Sequence, residues 1–183
     1  LMNAMDGVLE YKTLFTVDYK DIVKHKPDLS IEIEDGRNRL DSIISSTMNS
    51  IDFSGISCVI VQGDTTSVLA VALSAFNNKV PVVHLEAGLR TYNLEQPYPE
   101  EANRQLVSRI TDLHLCPTEN AAINLQSEGV PSQKIHVVGN TVLDNLVGVE
   151  VTDEHKILVT MHRRENHARI EDWFDAIDKL ASR

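Results

Sequence analysis

The sequence predicts an α/β protein built on a parallel, doubly wound sheet flanked by helices. Three observations carry that prediction. Short apolar runs alternate with helix-like stretches at intervals of roughly 20–30 residues, the spacing of βαβ units. Several runs are continuously apolar rather than alternating, as strands covered on both faces are. Polar and charged residues cluster just after the runs, and sheets of this kind bind ligands at the carboxyl ends of their strands.

The elements follow in order. "LMNAMDGVLE" reads as the end of a helix leading into a first strand, "YKTLFTV" (11–17). Further strands are expected at "SCVIVQ" (57–62), "VPVVHLE" (80–86), "DLHLC" (112–116), "KIHVV" (134–138) and "KILVTM" (156–161). The alanine-rich stretch 65–77 reads as a helix. Residues 100–110 place Ala102, Leu106 and Ile110 on one helical face. Residues 118–128 and 141–149 follow Thr118 and Thr141, both able to cap a helix start. Residues 169–182 form the last helix. A polar stretch, "EVTDEH" (150–155), separates the last strand from the rest. A lone strand and helix cannot bury their own faces. Residues 1–150 are therefore expected to form the first domain, and 151–183 to begin a second that is incomplete.

Composition narrows the functions available. The chain has 183 residues, 42% hydrophobic, with a net charge of -10. That charge argues against a nucleic-acid binder, which needs a basic face for phosphates. A small phosphorylated ligand stays open, because a few clustered arginines can work inside an acidic protein. Cys58 and Cys116 both sit in apolar runs and read as buried, reduced thiols. No apolar run is long enough to span a membrane, and no signal-peptide pattern opens the sequence. A cytoplasmic protein without membrane partners is expected.

The residues after each strand are the candidate site. Asp64 stands in a Gly-Asp-Thr-Thr corner, where it either caps the next helix or faces a ligand. His84 and Glu86 are two apart and would share a strand face. With Asp64 they make at best a weak metal set, since a dedicated site needs three or more convergent ligands; no metal is expected. Glu100 and Glu101 would complement a helix dipole, and Arg104 could pair with Glu100 at i,i+4. Yet they follow a loop rich in polar and aromatic groups that leaves a strand's carboxyl end. "HRREN" offers His162, Arg163 and Arg164; arginine grips phosphate bidentately and histidine can donate a proton. Asn140 and Thr141, after Gly139, offer a further anion or hydroxyl contact.

Taken together, five segments are specific: "QGDTTSVLAVALSAF", "VPVVHLEAGLRT", "PYPEEANRQLVSRITDLHLCPTENAAINL", "VVGNTVLDNL" and "ILVTMHRREN". In this order and spacing the chain closely resembles the non-hydrolysing UDP-N-acetylglucosamine 2-epimerases over roughly residues 55–183. The resemblance implies a GT-B-like architecture of two Rossmann-like domains, with only the start of the second in these 183 residues. It implies interconversion of UDP-GlcNAc and UDP-ManNAc for surface polysaccharides. The reaction would eliminate UDP across C1–C2 and re-add it after protonation of the other face of C2. No cofactor and no metal are implied, and a homodimer is. By motif position, Asp64, Glu86 and Glu100 match the family's catalytic carboxylates and His162 its essential histidine. Arg104, Arg163, Asn140 and Thr141 fall at substrate-binding positions. Arg90 has no implied catalytic role.

The sequence also departs from the family. It lacks the Gly-Thr-Arg-Pro-Glu loop after the first strand. It reads "LFTVDYKD" where the family has Gly-Gln-His, a segment tied to a second, activating substrate molecule. It lacks the uridine-binding half of the second domain. Taken by itself, the chain is expected to epimerise negligibly. Two other readings remain: a hydrolysing relative releasing UDP and ManNAc, and a binding or assembly module without turnover.

Overall fold

The computed structural model describes residues 5–16, 26–146, 148–149, 159–160 and 170–181. Contacts divide the chain into two compact units, Leu1–Val147 and Gly148–Arg183.

Among the described residues the first unit shows six strands, all paired in parallel. β1 (Leu14–Thr16) pairs with β2 (Leu29–Ile31) in a small sheet of their own. β3 (Val59–Gln62), β4 (Val82–Leu85), β5 (Leu113–Cys116) and β6 (Ile135–Val137) form the main sheet in sequential order. The helices between them are α1 (Arg39–Ser50), α2 (Thr66–Asn77), α3 (Glu100–Ile110) and α4 (Glu119–Ser127). The α/β class and its parallel order are those the sequence predicts; the doubly wound arrangement is not seen in the main sheet, whose described strands run in sequential order without a reversal.

Sequential order has a geometric consequence. Right-handed crossovers that always step the same way put their helices on one face of the sheet. The register agrees. Val61 pairs with His84, His84 with His114, and Cys116 with Val137, so these side chains share a face. On that face Val61 and Val82 pack with Ala72 and Ala75 of α2 and Val107 of α3. Cys116 packs with Ala121, Ala122 and Leu125 of α4. Small residues on α2 and α4 let each helix backbone lie close to the strands. The opposite face is covered less evenly: Leu85 is buried, whereas Ile60 is 39% exposed.

Two elements go unread in the sequence. α1 is capped by Asn38, whose Oδ1 accepts from the Leu40 N–H at 2.8 Å. Its buried face is mostly small and polar: Ser42, Ile43, Ser46 and Thr47. The hydrophobic period is thus nearly silent. β2 is only three residues long.

Three expectations are corrected. Residues 141–149 do not form an α-helix; a 3-10 turn spans Thr141–Leu146. Asn140, not Thr141, caps it: its Oδ1 accepts from the Val142 N–H at 3.0 Å. Cys116 is buried as expected, but Cys58 is exposed, because it precedes the edge strand β3. Thr118 does cap its helix, accepting from the Ala121 N–H at 3.2 Å.

In the second unit the described element is α5 (Ile170–Ala181). Ile170, Trp173, Phe174 and Ile177 recur at helical spacing along one stripe.

Candidate active site

The carboxyl ends of β3 and β4 stop level with each other. Gln62 pairs with Leu85, and the Gly63 N–H extends the ladder to the Leu85 carbonyl at 3.1 Å. Asp64 and Glu86 therefore leave neighbouring strands at one height. The first turns of α3 are tied to the same place. The Asn103 side-chain amide donates to the Asp64 carbonyl at 2.9 Å. Arg104 Nη2 donates to Asp64 Oδ2 at 2.5 Å.

Asp64 is thus an ion-paired carboxylate and not the cap of α2. Thr65 is that cap, its Oγ1 accepting from the Val68 N–H at 3.3 Å. Nor does Arg104 pair with Glu100 along the helix. Its second terminal nitrogen, Nη1, donates to Glu101 Oε2 at 3.2 Å, one residue on. With both terminal nitrogens on carboxylates and its side chain 11% exposed, Arg104 supports Asp64.

Glu86 does not share a strand face with His84. The strand ends at Leu85, and Glu86 takes a φ of +66°. A residue with a Cβ reaches this left-handed region at a cost of roughly 1–2 kcal/mol. Such outliers collect where a side chain must be aimed out of a regular element. Glu86 and Glu100 are both half-buried. Neither makes a side-chain hydrogen bond with another described residue. His84 instead faces the helices, where it is 1% exposed. Its Nε2–H donates to the Gly63 carbonyl at 2.7 Å, closing the turn behind Asp64. Burial holds His84 below the usual histidine range, partly offset by that hydrogen bond.

The loop between β4 and α3, residues 86–99, is fixed at three points. Gly88 has a φ of +85°, and a Cβ there would lie 2.2 Å from the Ala121 carbonyl oxygen. Only glycine allows the loop that close to α4. The Gly88 carbonyl also accepts from Asn124 Nδ2 at 2.9 Å. Arg90, its side chain fully buried, forks onto Glu128 through Nε at 2.6 Å and Nη2 at 2.9 Å. Glu101 takes the Thr91 and Tyr92 N–H groups, each at 3.0 Å.

Thr141 arrives from the far edge of the sheet. Its hydroxyl accepts from Gln62 Nε2 at 3.3 Å, so the segment after β6 reaches the end of β3. Asn140 lies beside it. His162 and Arg163 fall outside the described residues. Sequence reasoning missed Glu101, Asn103 and Arg90 as parts of the site's support. The one legible trace was the spacing of Glu101 to Arg104 and Gln105, i,i+3 and i,i+4 on a helix.

The arrangement offers two carboxylates unpaired among the described residues, Glu86 and Glu100, and a third, Asp64, held in an ion pair. That set suits proton transfer at carbon or oxygen in a bound ligand.

Known proteins bear on this geometry. The model of the UDP-N-acetylglucosamine 2-epimerase family matches residues 10–183. The epimerase of Neisseria meningitidis serogroup A is 47% identical over 145 residues, covering 69% of this chain and 39% of that protein. A Neisseria meningitidis epimerase structure with bound UDP-GlcNAc superposes with a TM-score of 0.68 at 41% identity, over 74% of this chain and 40% of that one. An epimerase from Methanocaldococcus jannaschii, in complex with UDP-GlcNAc and UDP, gives a TM-score of 0.68 at 32% identity. That match covers 86% of this chain and 48% of the other. The chain thus spans less than half the length of these relatives. The family model spans most of the chain, and a relative 47% identical covers more than two thirds of it: the chain belongs to the UDP-N-acetylglucosamine 2-epimerase family.

Proposed function

We propose that this chain supplies the carboxylate half of an active site that interconverts UDP-GlcNAc and UDP-ManNAc. The observation that carries the proposal is the convergence of Asp64, Glu86 and Glu100 at the ends of β3 and β4 and the start of α3. The C2 proton of the sugar is not next to a carbonyl. Simple deprotonation is therefore hard, whereas loss of UDP across C1–C2 relieves the difficulty. That step needs a base at C2 and a stabilised diphosphate leaving group. Re-addition needs an acid on the other face.

Glu86 and Glu100, half-buried and without a side-chain partner among the described residues, are the groups we assign to these proton transfers. Asp64, fixed by Arg104, is the third carboxylate at the sugar. His162 and Arg163 would act on the diphosphate. Asn140 and Thr141 would contact the substrate at the edge of the site. Arg104 we now assign to holding Asp64 rather than to the substrate. The product would serve surface polysaccharide synthesis, and the working protein would be a cytoplasmic homodimer.

The test is incubation with UDP-GlcNAc, in heavy water, of a full-length enzyme in which this sequence is completed by a second domain. UDP-ManNAc carrying deuterium at C2 is the expected product. Glu86→Gln and Glu100→Gln should each abolish that exchange while UDP binding persists. Free ManNAc would point to the hydrolysing reaction instead. Binding of UDP-GlcNAc with no exchange would point to a module without turnover.

A further inference from the structure

Glu100 and Glu101 are adjacent, yet the second has a different fate. Glu101 is 0% exposed, in the first turn of α3. A buried carboxylate is costly unless every lone pair finds a donor. Here each oxygen takes two. Oε1 accepts from the Tyr92 N–H at 3.0 Å and Gln105 Nε2 at 2.8 Å. Oε2 accepts from the Thr91 N–H at 3.0 Å and Arg104 Nη1 at 3.2 Å. Burial alone would raise its pKa. The donors from Gln105, Thr91 and Tyr92, and the Arg104 charge, outweigh burial and lower it. Glu101 therefore stays ionised and cannot itself reach a ligand.

Its donors come from two directions. Two are backbone groups of the loop that begins at Glu86 and ends at Glu100. One of those, Tyr92, has a φ of +57°, the second left-handed non-glycine residue in that loop. The other two come from α3 itself: Gln105, and Arg104, whose other terminal nitrogen holds Asp64. One buried carboxylate thus touches the support of all three candidate carboxylates.

We propose that Glu101 is the positioning residue of this site. It sets the loop that aims Glu86 and Glu100, and through Arg104 it sets Asp64. The proposal rests on the epimerase reading above for the chemistry, but not for the loop contact. An isosteric change tests it. In Glu101→Gln the side chain keeps its shape, while its NH2 group now faces donors. The fold should survive, as circular dichroism can verify. Amide hydrogen exchange at Thr91 and Tyr92 should quicken about tenfold or more, with the β4 and β5 strand amides unchanged. In an enzyme completed with its second domain, epimerisation should lose kcat by about thirtyfold with KM for UDP-GlcNAc within about threefold, because no group that touches the substrate has been removed. A carboxylate that only stabilised the fold would instead quicken exchange throughout the sheet and leave kcat per folded molecule intact. Unchanged exchange at residues 91 and 92, or unchanged kcat beside quickened exchange, overturns the proposal. A completed wild-type enzyme that turns nothing over counts against the epimerase reading, and the exchange measurement then decides the role of Glu101 by itself.

Discussion

The loop between β4 and α3 and the sheet face beneath the helices both bury polar groups, but in opposite ways. At the loop, Arg90 within it and Glu101 in the helical turn that follows are each met by partners on every side. On the sheet face, His84 and His114 sit side by side in register, 1% and 0% exposed. His84 Nδ1 and both ring nitrogens of His114 have no partner among the described residues. A saturated network fixes one geometry, because any shift breaks several bonds together. An unsaturated buried group fixes little and stays sensitive to protons. The molecule keeps the first kind next to its candidate site and the second kind in the layer behind it.

Removing the cation that joins Asp64 to Glu101 should have the largest effect, although Arg104 is not itself saturated: its buried Nε has no partner among the described residues. Arg104→Ala leaves Asp64 and Glu101 facing each other without a counter-charge. The expected loss is on the order of 3–5 kcal/mol of unfolding free energy, read by urea denaturation. A loss under about 1 kcal/mol would mean the cluster is not the constraint described here.

Acid probes the other region. Burial, with neighbouring positive charge from His84, Lys134 and Arg90 against only Asp112, lowers His114 from 6.5 to about 4. His84 is lowered too, mainly by burial. As pH falls below 6.5 the unfolded chain takes up protons that the folded chain refuses until about pH 4. Stability is therefore full above that range and declines across it, by roughly 3 kcal/mol for His114 alone. Denaturation midpoints measured from pH 7 to pH 4 should show this slope. In His114→Leu the slope should shrink, and an equal slope in both proteins would rule His114 out as its source.

The smallest effect sharpens the contrast. Arg90→Lys keeps the charge beside Glu128 but loses the two-pronged geometry. A cost of about 1–2 kcal/mol is expected, because a single ammonium nitrogen cannot reach Glu128, Ser108 and the Leu89 carbonyl from the three places the guanidinium nitrogens occupy. A neutral result would show that charge alone holds this anchor.

Much of this was legible in the sequence. β3 to β6 are short apolar runs, and α2 to α4 follow with threonine caps or an acidic first turn. Helix α1 was not legible, because its buried face is Ser42, Ser46 and Thr47, residues that carry no hydrophobic period. The positions of Asp64, Glu86 and Glu100 at strand and helix ends were legible as a cluster. The burial of Glu101 was not. A second glutamate in a first helical turn reads as a solvated group answering the helix dipole. Only the path of the loop, which brings two backbone amides over it, reveals otherwise. The turned backbone of Glu86 was hidden for the same reason, since nothing in "HLEAG" marks a glutamate as left-handed.

The two cysteines end up in contrasting places. Cys116 lies fully inside the α4 layer, its thiol pushed up to about 11 by burial, whereas Cys58 is open to solvent just before β3. Thiolates, not thiols, react with alkylating dyes. The native chain can therefore take a fluorophore at one defined place without mutagenesis. Anchored at the amino end of the strand whose other end leads to Asp64, such a dye would report ligand arrival from outside the chemistry itself.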